Sequence, residues 1–411
     1  MLPFHQVDSF ISSVILLNEG RRKSGIVMNI LYTNFHGDYG GGQDTYVRDL
    51  AVAMSHHHRV TVASPQGSRL SRLLQDSPGV GIFDMEFKPR WNRLCREILR
   101  LRRRIAAERF DVIHVNGSAD HRQVMLALLG CRHRPAVVLT KHNTYRADSF
   151  GNQLRARLAT DHTIAVSDYV ASMLALRSPY GNVTVVKHGV RRPAAERLAC
   201  DEIRRRKIAL FGVAGADAIV LGSSAGTAPE KGWMDLIAAL GRLPEAERER
   251  FRVLLVGAQP SGEQCEQLVR HGMASRTAFT GRLDDVWAPF SIIDVSFVLS
   301  YHESLSYACR EAMSLGCPAI VTRVGGLPEN VEPGVDGWVV PPREPAAIEA
   351  ILRAIAQEPG CVRAMGRSAR LKGKREFSFD TFVDATLSVY QKSVRHNPSR
   401  WVTALRPTKW Q

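Results

Sequence analysis

Glu303 and Glu311 stand eight residues apart in the stretch 301–341, across the point where a loop should give way to a helix. Leu305, Ala308, Ala312 and Leu315 recur at helical spacing, and Gly316 followed by Pro318 supplies a stop. The apolar run Ala319-Ile320-Val321 then reads as a buried parallel strand, and a Gly325-Gly326 turn carries Glu329. A carboxylate at a helix entrance and a second about two turns on can grip the hydroxyls of two linked sugars. Backbone N–H groups at the helix start can hold the phosphates between those sugars. Taken alone, the pair also fits two solvated glutamates on a surface helix.

These residues need a scaffold, and the alternation of the chain supplies one. From Met28 onward strand-like and helix-like segments follow each other, which predicts parallel sheets covered on both faces. Strands are expected at 30–33, 59–63, 112–115, 136–140, 163–166 and 183–186. A helical linker at 194–206 precedes a second set at 219–223, 253–256, 276–279, 295–299, 319–322 and 337–340. Two doubly wound halves joined near residue 190 follow, with ligand between them at the strand C-terminal ends. The first strand leads into Gly37-Asp38-Tyr39-Gly40-Gly41-Gly42, where glycines allow close backbone approach to a phosphate or sugar.

The series Glu303, Glu311-Ala312, Gly316, Pro318, Gly325-Gly326, Glu329 and Gly337 closely resembles the donor-binding signature of retaining glycosyltransferase family 4, in the GT-B fold. The resemblance implies two Rossmann-like domains facing a central cleft: an N-terminal acceptor-binding domain at 28–190 and a C-terminal nucleotide-sugar domain at 191–378. A helix at 379–395 crosses back to the first domain. It further implies transfer of a sugar, with retained anomeric configuration, from a nucleotide-diphosphate sugar of the UDP-sugar kind. His142, after a buried strand, resembles the histidine beside the donor sugar and its phosphate. Pro229-Glu230-Lys231-Gly232-Trp233 resembles the lysine-bearing phosphate site, and lysine brings a compact charge to a diphosphate. The catalytic set so implied is His142, Lys231 and Glu303. Donor contacts are implied for Gly41, Gly42, Thr227, Arg282, Ser304, Leu305, Ser306 and, at the ribose, Glu311. This chain departs from the family at Gly226-Thr227, where members often carry an arginine; Thr227, Arg282 or Arg323 has to take its place. Ser306 stands where members commonly have glycine.

Composition bounds the partners. With 411 residues, 45% hydrophobic and 23% charged, the chain is expected to form two soluble globular domains. No apolar run approaches the ~20 residues that span a bilayer. Seven scattered cysteines without a close pair point away from a disulfide or zinc framework and toward a reducing cytoplasm. No cluster calls for a metal or a bound cofactor: Asp284-Asp285 reads as loop or helix cap, and His56-His57-His58 as surface loop. The first 27 residues precede the first strand and are expected to be poorly ordered.

The net charge is +15. Arg93, Arg96, Arg100 and Arg103 belong to a basic helical run, 88–109, whose apolar side is Leu94, Ile98, Leu101 and Ile105. A solvated basic face explains that run, as does attraction to an anionic membrane surface or glycolipid acceptor. The tail 396–411 interleaves bases and tryptophans and suits the same interface. The resulting expectation is a lipopolysaccharide-core or cell-surface polysaccharide enzyme, cytoplasmic and peripheral at the inner membrane, acting on an anionic glycolipid or oligosaccharide. A sugar-nucleotide epimerase or glycan phosphorylase on the same fold is the alternative. A non-catalytic nucleic-acid-binding protein would also explain the charge, but no recognised binding motif accompanies it, and nucleic acid is not an expected partner.

Overall fold

The computed structural model describes residues 26–38, 40–131, 133–191, 198–283 and 286–395. Residues 1–25, the tail 396–411, Tyr39 and Asp284-Asp285 therefore lie outside the described residues, as does 192–197 of the expected linker.

Seven parallel strands form the first sheet: β1 (Asn29–Thr33), β2 (Arg59–Ser64), β3 (Val80–Asp84), β4 (Val112–Val115), β5 (Ala136–Lys141), β6 (His162–Ala165) and β7 (Val183–Val185). Their order is β3-β2-β1-β4-β5-β6-β7, so the order reverses between β1 and β4. Six more, also parallel, form the second: β8 (Ile219–Ser223), β9 (Phe251–Leu255), β10 (Thr277–Phe279), β11 (Val295–Val298), β12 (Ala319–Thr322) and β13 (Gly337–Val340). Here the order is β10-β9-β8-β11-β12-β13, reversing between β8 and β11. Both are doubly wound α/β sheets, and the whole is the GT-B architecture of two Rossmann-like domains.

Near-continuous apolar strands such as Val295-Ser296-Phe297-Val298 are buried on both faces. In the first domain Leu31, Ile113, Val115, Val137 and Leu139 point to one layer of helices. Ile30, Tyr32, Val112 and Val138 point to the other, as the two-residue period of a strand requires. The terminal helix Phe379–Arg395 lays Phe382, Val389 and Tyr390 into that second layer. The Tyr390 hydroxyl meets Tyr32 Oη at 3.0 Å and His114 Nδ1 at 2.5 Å, so this helix is tied to the first domain's core.

Two expectations change. Strand β3 escapes the sequence pattern because it is an exposed edge, with Gly81, Ile82 and Asp84 facing solvent. The helix after residue 194 begins at Cys200 and runs to Phe211 rather than stopping at 206. It is no free linker: Ile203 and Phe211 pack on the second domain's core, and Lys207 Nζ lies 2.7 Å from Asp294. No helix among the described residues is long and apolar enough to cross a membrane.

Candidate active site

The crevices at the two reversal points face each other, and the loops leaving β1, β4, β5, β8 and β11 carry most of the implicated side chains. Beyond β11 the chain runs through Tyr301, His302 and Glu303 into the helix Tyr307–Ser314. Glu303 Oε2 accepts from Lys231 Nζ at 3.3 Å. Lys231 ends the short turn Pro229–Lys231, and Gly232 leaves it at φ 66°, a left-handed conformation that glycine takes without cost. Lys231 and Glu303, 72 residues apart, are thus one ion pair in the cleft.

Across from them Ser304 Oγ donates to the His142 carbonyl at 2.7 Å, joining the two domains. His142 Nε2 lies 2.9 Å from Asn116 Oδ1. The Asn116 amide nitrogen donates to the Thr33 and His114 carbonyls, so its oxygen must face the imidazole. Nε2 therefore carries the proton and Nδ1 is bare. Burial pushes the His142 imidazole down to about 3, helped by the nearby His114, His36 and Lys141, and it is neutral at any ordinary pH. His114 sits behind it, fully buried, with Nε2 2.6 Å from Thr140 Oγ1, and is likewise held at about 3. Its place is in the hydrogen-bonded core behind the cleft. Asn116, which sets the tautomer of His142, is a site residue that sequence reasoning does not single out; its position directly after β4 is the available signal.

The helix Tyr307–Ser314 is not the amphipathic helix its sequence suggests. Ala308, Cys309, Arg310, Ala312, Met313 and Ser314 are all buried, while Leu315 falls beyond its end. Glu311 is half-buried on the same side as Tyr307, whose hydroxyl is raised well above its usual value by burial, with Asp49, Tyr46 and Glu311 adding to it. The Tyr307 ring stacks on His188 at 3.7 Å and 16°. It also abuts Gly42, where a side-chain carbon would fall 3.2 Å from the ring. Gly41 takes φ 54° one residue before, at the start of the helix Gly42–Ser55. The glycine loop of one domain therefore closes on the helix entrance of the other. Ser306 caps that helix by accepting from the Cys309 N–H at 3.3 Å. It does so at φ 84°, which a side chain rarely adopts, and this gives its glycine-like position a geometric meaning. Leu305 is buried beneath it.

The remaining expected donor residues stand further apart. Thr227 is buried, and its hydroxyl donates to the Ala258 carbonyl at 2.9 Å, shaping the loop after β8. Arg282 is exposed beyond Gly281. Arg323 instead lines a hollow of about 310 Å³ with Thr144, Tyr169, Tyr301, His302, Glu303, Val324 and Gly325, so a cation does reach the Glu303 side of the cleft. A larger hollow of about 500 Å³ lies by Asn29, Arg59 and Gly79, at the opposite ends of the strands, and gathers none of the site residues. Glu329 has a structural partner across the cleft: its carboxylate accepts the N–H groups of Asp168 and Tyr169 at 3.0 and 2.8 Å, capping the helix Asp168–Arg177. Lys187 braces it at 2.9 Å. Among the described residues no group of three or more His, Cys, Asp or Glu could hold a metal ion.

The basic run lies on the helix Trp91–Glu108. Arg100 pairs with the buried Glu97 at 2.7 Å, and Arg96 is 3.4 Å from it. Arg93 and Arg103 are exposed.

Comparison with known proteins bears on the family and the fold. The model of Glycosyltransferase Family 4 matches residues 40–192, and that of Glycosyl transferases group 1 matches residues 212–372. A D-inositol 3-phosphate glycosyltransferase of Saccharomonospora viridis is 32% identical over 191 residues, 44% of each chain. The chain spans about a quarter to one half of the length of the curated relatives it matches. The crystal structure of Anabaena HepE in complex with UDP has a TM-score of 0.74 at 20% identity, covering 89% of this chain and 100% of that one. WaaG, a glycosyltransferase involved in lipopolysaccharide biosynthesis, has a TM-score of 0.68 at 15% identity, covering 88% and 99%.

Proposed function

We propose, from the premise that this chain belongs to the glycosyltransferases joining a Family 4 domain to a group 1 domain, that it moves a sugar from a UDP-sugar, with retention, to an anionic glycolipid of a cell-surface polysaccharide such as lipopolysaccharide core. The observation that carries the reading is the meeting of the Lys231–Glu303 pair with the neutral His142 across the Ser304 bridge. The UDP and UDP-glucose bound by HepE favour the donor class, and the role of WaaG favours the acceptor class.

Each group then has its own part in the reaction. Lys231 puts a fixed positive charge where a leaving diphosphate gathers negative charge, in a cleft where such stabilisation is strong. Until donor arrives, Glu303 holds that ammonium; with donor present, it turns to the sugar hydroxyls, and Glu311 to the ribose. As the bond between the sugar's C1 and the diphosphate oxygen breaks, the acceptor oxygen bonds C1 from the same face and passes its proton to the leaving phosphate oxygen. His142 serves this step by being neutral. Its bare Nδ1 can accept from a sugar hydroxyl, and it adds no positive charge beside a cation-like carbon. Attachment at the inner-membrane surface, by the exposed arginines of the helix Trp91–Glu108, brings the enzyme to its acceptor.

The test is transfer from UDP-glucose and other UDP-sugars to lipopolysaccharide-core acceptors, with product configuration read by NMR. An α-linked product from an α-linked donor is expected. An inverted product, or donor epimerised without any acceptor, overturns the reading.

A further inference from the structure

The helix Phe150–Ala159 buries only Ala159. Phe150, Leu154 and Leu158 recur every four residues and are 73%, 36% and 40% exposed. Such spacing aligns them as one ridge on a helix. Tyr145, in the segment leading from His142 to this helix, is 74% exposed and adds another ring at its foot. Three large apolar side chains in register on one solvent-facing helix exceed the scatter normal for a soluble surface.

Charge says what covers the ridge. From 141 to 160 the chain holds Lys141, Arg146, Arg155 and Arg157 against the single acid Asp148. The same layer of helices on the first sheet includes Trp91–Glu108, as Ile105 and Leu101 share a core with Ala156. That helix, one removed across the intervening helix Ser118–Leu128, exposes Trp91 and Leu99 beside Arg93 and Arg103. A second copy of this face would set cation against cation. Nucleic acid would leave the Phe and Leu ridge uncovered. An anionic lipid surface satisfies both features, taking apolar side chains into its acyl boundary and bases at its headgroups.

We infer that the ridge Phe150-Leu154-Leu158, with Tyr145, is the membrane-inserting element of this protein, and that the helix Trp91–Glu108 supplies the electrostatic part of the same docking face. The inference rests on the proposed glycolipid acceptor and adds to it an orientation. Phe150 begins the helix that follows the C-terminal end of β5, the strand end that carries His142, so docking brings the cleft edge of the first domain to the lipid surface.

The experiment uses the full chain and co-sedimentation with vesicles of phosphatidylcholine containing phosphatidylglycerol, against phosphatidylcholine alone. The variant combines Phe150→Ser, Leu154→Ser and Leu158→Ser, all exposed positions. Wild type is expected to prefer the anionic vesicles, and the triple variant to lose about tenfold or more in partitioning while its Tm and its stabilisation by UDP stay unchanged. Wild type that fails to bind, or a triple variant that binds as wild type does, overturns the inference. So does a change from dimer to monomer in sedimentation velocity with vesicle binding unaltered, which makes the ridge a self-association face. Loss of the UDP response in wild type strikes at the catalytic reading instead, and is scored separately.

Discussion

At the C-terminal ends of its strands the first sheet sets mainly neutral groups beside the cleft, while the second sets charges. After β1, β4 and β5 come glycines, Asn116 and an imidazole that burial keeps unprotonated, while Lys141, the last residue of β5, is turned aside onto Asn143 Oδ1 and the Tyr145 carbonyl. Around β8, β11 and β12 come Lys231, Glu303 and Arg323. On the proposed function one architecture serves two roles: the second domain would grip a charged donor, while the neutral imidazole of the first would stand beside the reacting carbon. The domains are held in register by Ser304 on the His142 carbonyl and by Glu329 on the Asp168–Arg177 helix.

Breaking the charged side should have the largest effect. Lys231→Ala or Glu303→Ala is expected to lower kcat/KM for transfer by ~1,000-fold, the scale for removing a principal charge-stabilising group. Asn116→Ala on the neutral side should cost only about tenfold, and its imidazole 15N shifts should show that His142 no longer holds a single tautomer.

Stability separates the sides next. Arg310 is buried, donating to Asn330 Oδ1 at 2.8 Å and to the His188 carbonyl at 2.5 Å, with its guanidinium 4.4 Å over Phe377. Burial lowers it to about 10, still charged at neutral pH. Arg310→Ala strands these acceptors and opens a void, and is expected to cost about 3 kcal/mol in chemical denaturation.

Asp44, in the glycine loop's helix, is an exception on the neutral side. Burial raises its carboxyl from 3.8 to about 6, against the lowering pull of Asn34 and Arg69. The folded state thus holds this proton more tightly than the unfolded one. Stability from Asp44 is full below about pH 4 and is lost as pH rises through about 6. Asp44→Asn should match wild type at about pH 4 and exceed it by about 3 kcal/mol at about pH 8; an equal gap at both values contradicts the assignment.

The smallest effect belongs to Ser306. Replacement by Gly relieves the φ of 84° but forfeits the cap to Cys309. A net gain of about 1 kcal/mol or less is expected in the same denaturation assay.

Much of this is legible in the chain. The strand-helix alternation locates twelve strands to within a residue or two, because buried parallel strands are apolar runs bounded by turns. Edge strand β3 lacks that burial and leaves no such run. The motif around Glu303 is legible as a set of types at fixed spacing. Its partners are not: Asn116 with His142, Tyr307 with His188 and Glu329 with Asp168 are joined only by packing between segments far apart in sequence. Likewise, the spacing of Phe150, Leu154 and Leu158 looks like an ordinary core stripe until the fold leaves it facing outward.

The central claim is that the second domain's charges bind a nucleotide-diphosphate sugar. It is tested most directly by thermal unfolding of wild type and Glu311→Ala across UDP and UDP-glucose concentrations. A ligand at about 100 times its Kd adds about 2.7 kcal/mol to the folded state. The account predicts that both ligands raise the wild-type Tm by several degrees and that Glu311→Ala, folded as well as wild type, loses most of the rise. A wild-type Tm unmoved by any nucleotide or nucleotide sugar, or a Glu311→Ala variant that responds as strongly as wild type, contradicts it.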